Sequence, residues 1–364
     1  MTTRGGHVVI IAEAGVNHNG SMDVARRLID VAVNCGANAV KFQSFQATAL
    51  ASARAPKARY QEVTTSAAES QQEMLTRLQL SESDHEQLIT HARDSGIRLL
   101  STPFDGPSLR LLTGRFGFDV IKIPSGEITN GPFLLEIART GAKVILSTGM
   151  SSLAEVERAL SVLAFGYVSA ADEVPGDTAF SRAFAADAGQ AVLREKVTLL
   201  HCTTEYPAPF GDTNLRAIDT LAAAFGLPVG FSDHTPGIHV PVAAVARGAC
   251  LIEKHFTLDR SMPGPDHAAS LEPHELALMV RNVRDVESAL GDGVKRAMRS
   301  ELPNIAIARK SLVAAAHISS GELFTAQNVA CKRPGDGMSP MHYWTLLGTA
   351  ATRDYDPDDT ISAT

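Results

Sequence analysis

Short apolar runs recur along the chain, each closing on polar or charged residues and followed by a stretch of helical periodicity. Eight such runs cover residues 8–14, 39–43, 98–102, 120–124, 143–148, 197–202, 229–233 and 251–255. Amphipathic stretches lie between them, including 23–34, 83–94, 131–140, 152–163 and 239–247. Ser21, Ser81 and Ser152 precede acidic residues and serve as N-caps. Eight strands apolar enough for burial on both faces, alternating with helices, predict an α/β fold, a (β/α)8 TIM barrel. Two segments interrupt the alternation. Residues 45–80 are rich in Ala, Ser and Gln, partly helical in pattern, and read as a lid-like excursion after the second strand. Residues 166–195, with Val174-Pro175-Gly176-Asp177 and an Ala/Phe-rich stretch, read as an insertion before the sixth strand, away from the strand ends that carry chemistry.

The pattern changes after a helix over 273–290. Gly-Asp-Gly with Lys295, Arg296 and Arg299 marks a linker over 291–302, which closes a catalytic barrel domain at 1–290. Residues 303–364 give short strands at 311–315, 332–340 and 347–353, broken by turns. This is a small, mainly-β domain that buries little core alone and needs a surface to rest on.

Composition narrows the partners. The 364 residues are 45% hydrophobic and 20% charged, with a formal net charge of −7 and no basic stripe, which argues against nucleic acid and anionic membrane. No run reaches the roughly 18 apolar residues of a membrane span. The first seven residues lack an apolar segment with a cleavage site. Four scattered cysteines, Cys35, Cys202, Cys250 and Cys331, form no CxxC pair and read as reduced and mostly buried. Together these features predict a cytoplasmic protein.

Chemistry should collect at the C-terminal ends of the strands. Gly230-Phe231-Ser232-Asp233-His234 and Ile252-Glu253-Lys254-His255-Phe256 each end an apolar strand in a histidine, one strand–helix repeat apart. Parallel neighbouring strands place His234 and His255 side by side, where two neutral imidazoles suit a divalent metal of the Mn/Fe/Zn type. Lys41 and Lys122 sit in apolar strands and are costly to bury without an anion. An ion pair with Glu13 or Glu253 satisfies either lysine, and a Schiff-base lysine is a second possibility. Two lysines beside small hydroxyl residues best fit a clamp for a dianionic phosphate or carboxylate. The Pro124-Ser125-Gly126 turn offers an anion nest, though such turns are common. Glu13 and Glu253 are candidate general acid/base groups, and Glu253 can also orient a metal-bound water. Asp266, in Pro263-Gly264-Pro265-Asp266-His267, can meet substrate hydroxyls or belong to a plain turn. His18, His239 and His267 have no spacing argument and are expected in surface or capping roles.

An ordered set of motifs closely resembles the sialic acid synthases. It comprises Ile11-Ala12-Glu13-Ala14-Gly15-Val16-Asn17-His18-Asn19-Gly20, Val40-Lys41-Phe42-Gln43, Ser101-Thr102-Pro103-Phe104-Asp105, Lys122-Ile123-Pro124-Ser125, Phe231-Ser232-Asp233-His234 and Glu253-Lys254-His255-Phe256-Thr257. Ala308-Arg309-Lys310-Ser311-Leu312 and Lys332-Arg333-Pro334-Gly335 resemble their C-terminal antifreeze-like (SAF, β-clip) domain. The resemblance implies condensation of phosphoenolpyruvate with an open-chain N-acetylated mannosamine-type sugar, giving a nine-carbon 2-keto acid and phosphate. It implies that His234 and His255 hold a divalent ion, typically Mn²⁺, with Mg²⁺ or Co²⁺ as alternatives. Phosphoenolpyruvate would meet Lys41, Lys122, Ser125 and Ser232, to which Thr102 at a neighbouring strand end is added. Glu13 would be a catalytic carboxylate near the reacting carbons, to which Glu253 is added from its strand-end position, and Gln43, Tyr206 and Asp266 would contact the sugar. It further implies a domain-swapped homodimer in which Arg333 enters the partner subunit's barrel and meets the sugar's N-acyl group.

Within that family, Thr204-Glu205 in the 201–209 segment and the 339–348 segment resemble the N,N′-diacetyllegionaminate synthases, whose sugar is 2,4-diacetamido-2,4,6-trideoxymannose. Thr204 offers one hydroxyl and a methyl, which suits a 6-deoxy, 4-acetamido sugar. N-acetylneuraminate and pseudaminate synthases are the alternatives within the family. A non-catalytic sugar- or ice-binding protein and a pyruvate-using metal aldolase stand further off.

Overall fold

The computed structural model describes residues 6–52, 54–58, 61, 65 and 69–362. It divides into two compact units, Met1–Gly291 and Asp292–Thr364.

The first unit holds eight parallel strands: β1 (Val9–Gly15), β2 (Ala39–Ser44), β3 (Arg98–Pro103), β4 (Val120–Ile123), β5 (Lys143–Ser147), β6 (Val197–Cys202), β7 (Val229–Asp233) and β8 (Leu251–His255). Their order is β3-β2-β1-β8-β7-β6-β5-β4, and β3 and β4 lie against each other to close the ring. The expected (β/α)8 architecture is therefore present, with each of the eight predicted strands within one residue of its expected bounds. Helices follow the strands, and the three serine caps form as expected. Ser21 accepts from the Val24 N–H, while Ser81 and Ser152 each make reciprocal capping boxes with Asp84 and Glu155.

Strand alternation produces two apolar layers. Ile10, Ala12, Val40, Phe42, Leu199 and Ile252 face outward and pack under the helices. Val9, Ile11, Ala39, Leu100, Val120, Ile145, Leu200 and Leu251 face inward and plug the barrel.

The 45–80 excursion contains helices Ala47–Leu50 and Gln71–Leu78, while residues 53, 59–60, 62–64 and 66–68 within it lie outside the described residues. Its apolar positions form a separate cluster around Phe45, Met74 and Leu78. The 166–195 segment completes helix Leu153–Val168 and adds helices Asp177–Ala185 and Asp187–Lys196, both packed against it.

The second unit has its own core of Leu312, Ile318, Phe324, Val329, Tyr355 and Ile361, among others. It carries less strand than the turn-rich pattern suggested. Strands β9 (Ser311–Ala314) and β10 (Val329–Lys332) form one antiparallel ladder, joined among the described residues by isolated bridges. The strand expected at 332–340 ends at Lys332, because Pro334 and the glycines beyond it cannot continue the ladder. Residues 347–353 contribute only the Leu323–Ala350 bridge, and the helix Leu302–Ala308 occupies the end of the expected linker and the start of the domain.

The cysteines are free, but only Cys202 is buried; Cys35 and Cys250 are half-buried and Cys331 is exposed, which corrects the expectation that most are buried. Among the described residues no helix is long and apolar enough to cross a membrane.

Candidate active site

Two residues beyond the apolar plug, each strand presents one inward side chain at the next level. Strands β1 to β4 supply Glu13, Lys41, Thr102 and Lys122. Strands β5 to β8 supply Ser147, Cys202, Ser232 and Glu253. In β7 the plug position is Gly230, where a Cβ would come 2.7 Å from Leu200 Cδ2 and 2.5 Å from the Leu251 carbonyl oxygen. This ring floors a cavity of about 340 Å³, a size suited to small-molecule ligands.

The ring is an ion-pair network. Glu13 and Lys41 are register partners on β1 and β2, and Lys41 Nζ lies 2.6 Å from Glu13 Oε2 and 3.7 Å from Glu253 Oε2. Lys41 also donates a hydrogen bond to Thr102 Oγ1 at 2.8 Å. Lys122 donates to Ser147 Oγ at 2.7 Å and lies 3.5 Å from Glu253 Oε1. Ser232 Oγ donates to the same Glu253 oxygen at 2.8 Å. Both lysines thus meet carboxylates, as the ion-pair reading required.

The two carboxylates behave differently. Burial pushes Glu13 up to about 7, against the opposing pull of Lys41. Burial also penalises ionised Glu253, but Lys122, Lys41 and the Ser232 hydroxyl outweigh it and hold Glu253 at about 2. At neutral pH Glu253 is a fixed anion and Glu13 is poised to exchange a proton. Burial pulls Lys122 down, whereas for Lys41 the two carboxylates outweigh burial and raise it.

His234 and His255 are brought together, their ring centroids 5.7 Å apart. His234 Nδ1–H donates to the Thr203 carbonyl at 2.6 Å, which fixes the tautomer and leaves Nε2 with a lone pair. His255 Nδ1 is buried without a hydrogen-bond partner, 3.9 Å from Asp266 Oδ2. Burial lowers both histidines, so both are neutral. Neutral imidazoles, one tautomer-locked and one with an orphaned nitrogen, fit a divalent ion of borderline softness. Among the described residues no group of three or more His, Cys, Asp or Glu side chains is placed to hold a metal, so the fit rests on the two histidines.

The remaining candidates surround this floor. Gly149 N–H donates to Ser125 Oγ at 3.0 Å, and Ser125 Oγ lies 3.2 Å from Cys202 Sγ. A Cβ on Gly149 would come 2.4 Å from Thr204 Oγ1 and 2.8 Å from Ser125 Oγ, so only glycine fits that corner. The Tyr206 ring stands 4.1 Å from His234 and 5.6 Å from His255. Gln43 lines the cavity from β2. Asp266 enters from the loop after β8, and burial raises it to about 6. Arg333 belongs to the second unit, where it is exposed just after β10.

Sequence reasoning assigned no role to several participants. Ser147 is the direct partner of Lys122, and Cys202 sits against Ser125; both follow from counting two residues past the apolar plug. Asp233 and Lys254, outward-facing neighbours of the two histidines, form a wholly buried ion pair. His18 and His267 are fully buried, not at the surface, and burial lowers each to about 4; His239 is exposed as expected. His18 Nδ1 accepts from the Gly20 N–H, a local turn that the motif did not reveal. Asn17 ties β1 to the last loop, donating to the Phe256 carbonyl at 2.8 Å and Ser270 Oγ at 2.9 Å, while Ser270 donates to the Asp266 carbonyl.

The NeuB family model matches residues 28–295 and the SAF domain model matches 309–364. The chain is 50% identical over 353 residues to an N,N′-diacetyllegionaminic acid synthase of Campylobacter jejuni, covering 97% of this chain and 98% of that one. It is 42% identical over 340 residues to the protein of the same name from Legionella pneumophila, covering 93% and 89% respectively. A solved N-acetylneuraminic acid synthetase of Leptospira borgpetersenii, in complex with citrate, superposes with a TM-score of 0.65 at 33% identity, covering 82% of this chain and 90% of that one.

Proposed function

The chain belongs to the NeuB family, with a SAF domain at its end, and on that premise we propose that it condenses phosphoenolpyruvate with 2,4-diacetamido-2,4,6-trideoxymannose. The products are N,N′-diacetyllegionaminate and inorganic phosphate. The observation that carries this reading is the buried floor on which two lysines and two carboxylates meet at one level of the barrel, with two neutral histidines two residues further along β7 and β8.

Phosphoenolpyruvate brings a carboxylate and a phosphate, and Lys41 and Lys122 are the buried cations able to compensate them. The hydroxyls of Thr102, Ser125 and Ser232 supply uncharged donors around the same anion. Gln43, Thr204, Tyr206 and Asp266 line the space left for the sugar. His234 and His255 would hold a divalent ion, Mn²⁺ by preference, which would supply Lewis-acid polarisation of the sugar aldehyde. The new bond joins C3 of phosphoenolpyruvate to the aldehyde carbon, whose oxygen takes the proton that Glu13 gained on substrate binding, and C2 is left electron-deficient. Ionised Glu13 and Glu253 place negative charge at the floor where that deficiency develops. Water then adds to C2, phosphate departs with its oxygen, and the 2-keto group forms. Glu13, balanced near neutrality, is the group suited to take the proton that water loses.

Arg333 is assigned to the sugar's N-acyl group from the partner subunit of a domain-swapped homodimer, and the protein to the cytoplasm, where phosphoenolpyruvate is available. Incubation with phosphoenolpyruvate, Mn²⁺ and the diacetamido sugar should release one phosphate per sugar consumed and yield the nine-carbon acid by mass. Consumption of pyruvate without phosphate release would replace this reading with an aldolase.

A further inference from the structure

Besides its charged floor, the same cavity has a lining of different character. Leu50, Ala51, Met74, Leu75 and Leu78 form it, all from the excursion after β2, with Phe104 beside them; the same excursion also brings Gln61 and Gln71 to the cavity. Met74, Leu75 and Leu78 fall on one face of the helix Gln71–Leu78 and are 1%, 9% and 3% exposed. They belong to the separate apolar cluster with Val16, Phe45 and Ala47, so the wall has a core of its own behind it. The helix start is fixed by a reciprocal capping box: Ser70 N–H donates to Glu73 Oε2 at 2.8 Å, and Glu73 N–H to Ser70 Oγ at 3.2 Å.

None of the five wall side chains carries a donor or acceptor. A sugar hydroxyl pressed against them would be desolvated without a partner, whereas a methyl would gain by burial. Floor and wall therefore sort a ligand by polarity: anionic and carbonyl groups at the floor, apolar groups at the wall.

We propose that this wall seats the apolar end of the sugar, its C6 methyl, and that Met74, Leu75 and Leu78 set the preference for a 6-deoxy substrate over a 6-hydroxy one. The inference rests on the function proposed above and adds to it the residues that select the substrate. A hydrophobic surface that discriminates a single group does so modestly, by roughly 10- to 100-fold.

The test compares kcat/KM of the full-length enzyme for 2,4-diacetamido-2,4,6-trideoxymannose and for its 6-hydroxy counterpart, at saturating phosphoenolpyruvate and Mn²⁺. Wild type should favour the 6-deoxy sugar by about 10-fold or more. Leu75→Gln should shrink that ratio toward unity while leaving the KM for phosphoenolpyruvate unchanged. Met74→Gln keeps an unbranched side chain of similar length, and its ratio decides the matter if Leu75→Gln fails to fold. A wild-type preference retained in a folded, active Leu75→Gln or Met74→Gln enzyme would overturn the wall's role and leave the proposed reaction standing. Wild type that prefers the 6-hydroxy sugar would overturn both.

Discussion

Lys254 Nζ lies 2.5 Å from Asp233 Oδ2, and neither side chain has any solvent access. The two are register partners on β7 and β8, and each directly precedes one of the paired histidines. Lys254 also donates to the Thr235 carbonyl, and Thr235 N–H and Oγ1 both donate to Asp233 Oδ1. The pair ties the two strands together on the face opposite the cavity and so fixes the spacing of His234 and His255.

Removing one member strands a buried charge. Asp233→Asn should therefore destabilise the protein by about 3–5 kcal/mol, read from urea denaturation. Asp233→Leu combined with Lys254→Met removes both charges and should recover most of that loss. Its Mn²⁺ affinity by calorimetry should still fall, since the histidines lose their common tie. Equal destabilisation by the single and double changes would show that the charges themselves are not what the strands depend on.

Binding of phosphoenolpyruvate should take up a proton. Free Glu13 has a pKa of about 7, so at pH 7.5–8 it is mostly ionised. A phosphate and a carboxylate placed beside it, competing for Lys41, raise its pKa further, and it takes a proton from solvent. Calorimetry in buffers of different ionisation enthalpy should show uptake approaching one proton at pH 8. The uptake should fade below pH 6, where free Glu13 is already protonated, and vanish in Glu13→Gln. Proton release, or uptake unchanged in Glu13→Gln, would remove Glu13 from this role.

His234→Ala should lose Mn²⁺ binding and phosphate release together, with the far-ultraviolet circular dichroism of the barrel unchanged. A fully active variant that needs no metal would remove the histidine pair as the metal site.

Gly149→Ala is expected to be costly despite its small size. The added Cβ would sit 2.4 Å from Thr204 Oγ1 and 2.8 Å from Ser125 Oγ, displacing two hydroxyls from the cavity. A fall in kcat/KM of roughly 10²-fold is expected, the cost of misplacing positioning groups by about 1 Å. Wild-type kinetics would show that neither hydroxyl is held where the substrate needs it.

Arg333→Ala should raise the KM for the sugar more than the KM for phosphoenolpyruvate. Equal effects on both would argue for a structural role.

Much of the barrel was legible because buried parallel strands read as apolar runs and their helices carry caps; even Ser21, Ser81 and Ser152 were found. The floor was legible because Lys41, Lys122, Glu13 and Glu253 are conspicuous inside such runs. Ser147 and Cys202 were less so, since a serine or cysteine at a strand end is unremarkable until the inward register is counted from Ile145 and Leu200. The Asp233–Lys254 pair was hidden for another reason: it depends on which residues of two strands face each other outward, and no single strand reveals that. The apolar wall was legible only in outline, because the excursion reads as a partly helical lid while nothing in its sequence shows which residues, such as Met74 and Leu78, reach the cavity. In the second unit, few positions alternate cleanly, and Pro334 with its glycines ended a strand where the pattern seemed to extend one.

The measurement that tests the central claim most directly is phosphate release from phosphoenolpyruvate with Mn²⁺, comparing 2,4-diacetamido-2,4,6-trideoxymannose with N-acetylmannosamine. Strong preference for the diacetamido sugar, with one phosphate formed for each nine-carbon acid, is the predicted result. Preference for N-acetylmannosamine would make the enzyme a sialic acid synthase, and release with neither sugar would contradict the catalytic reading itself.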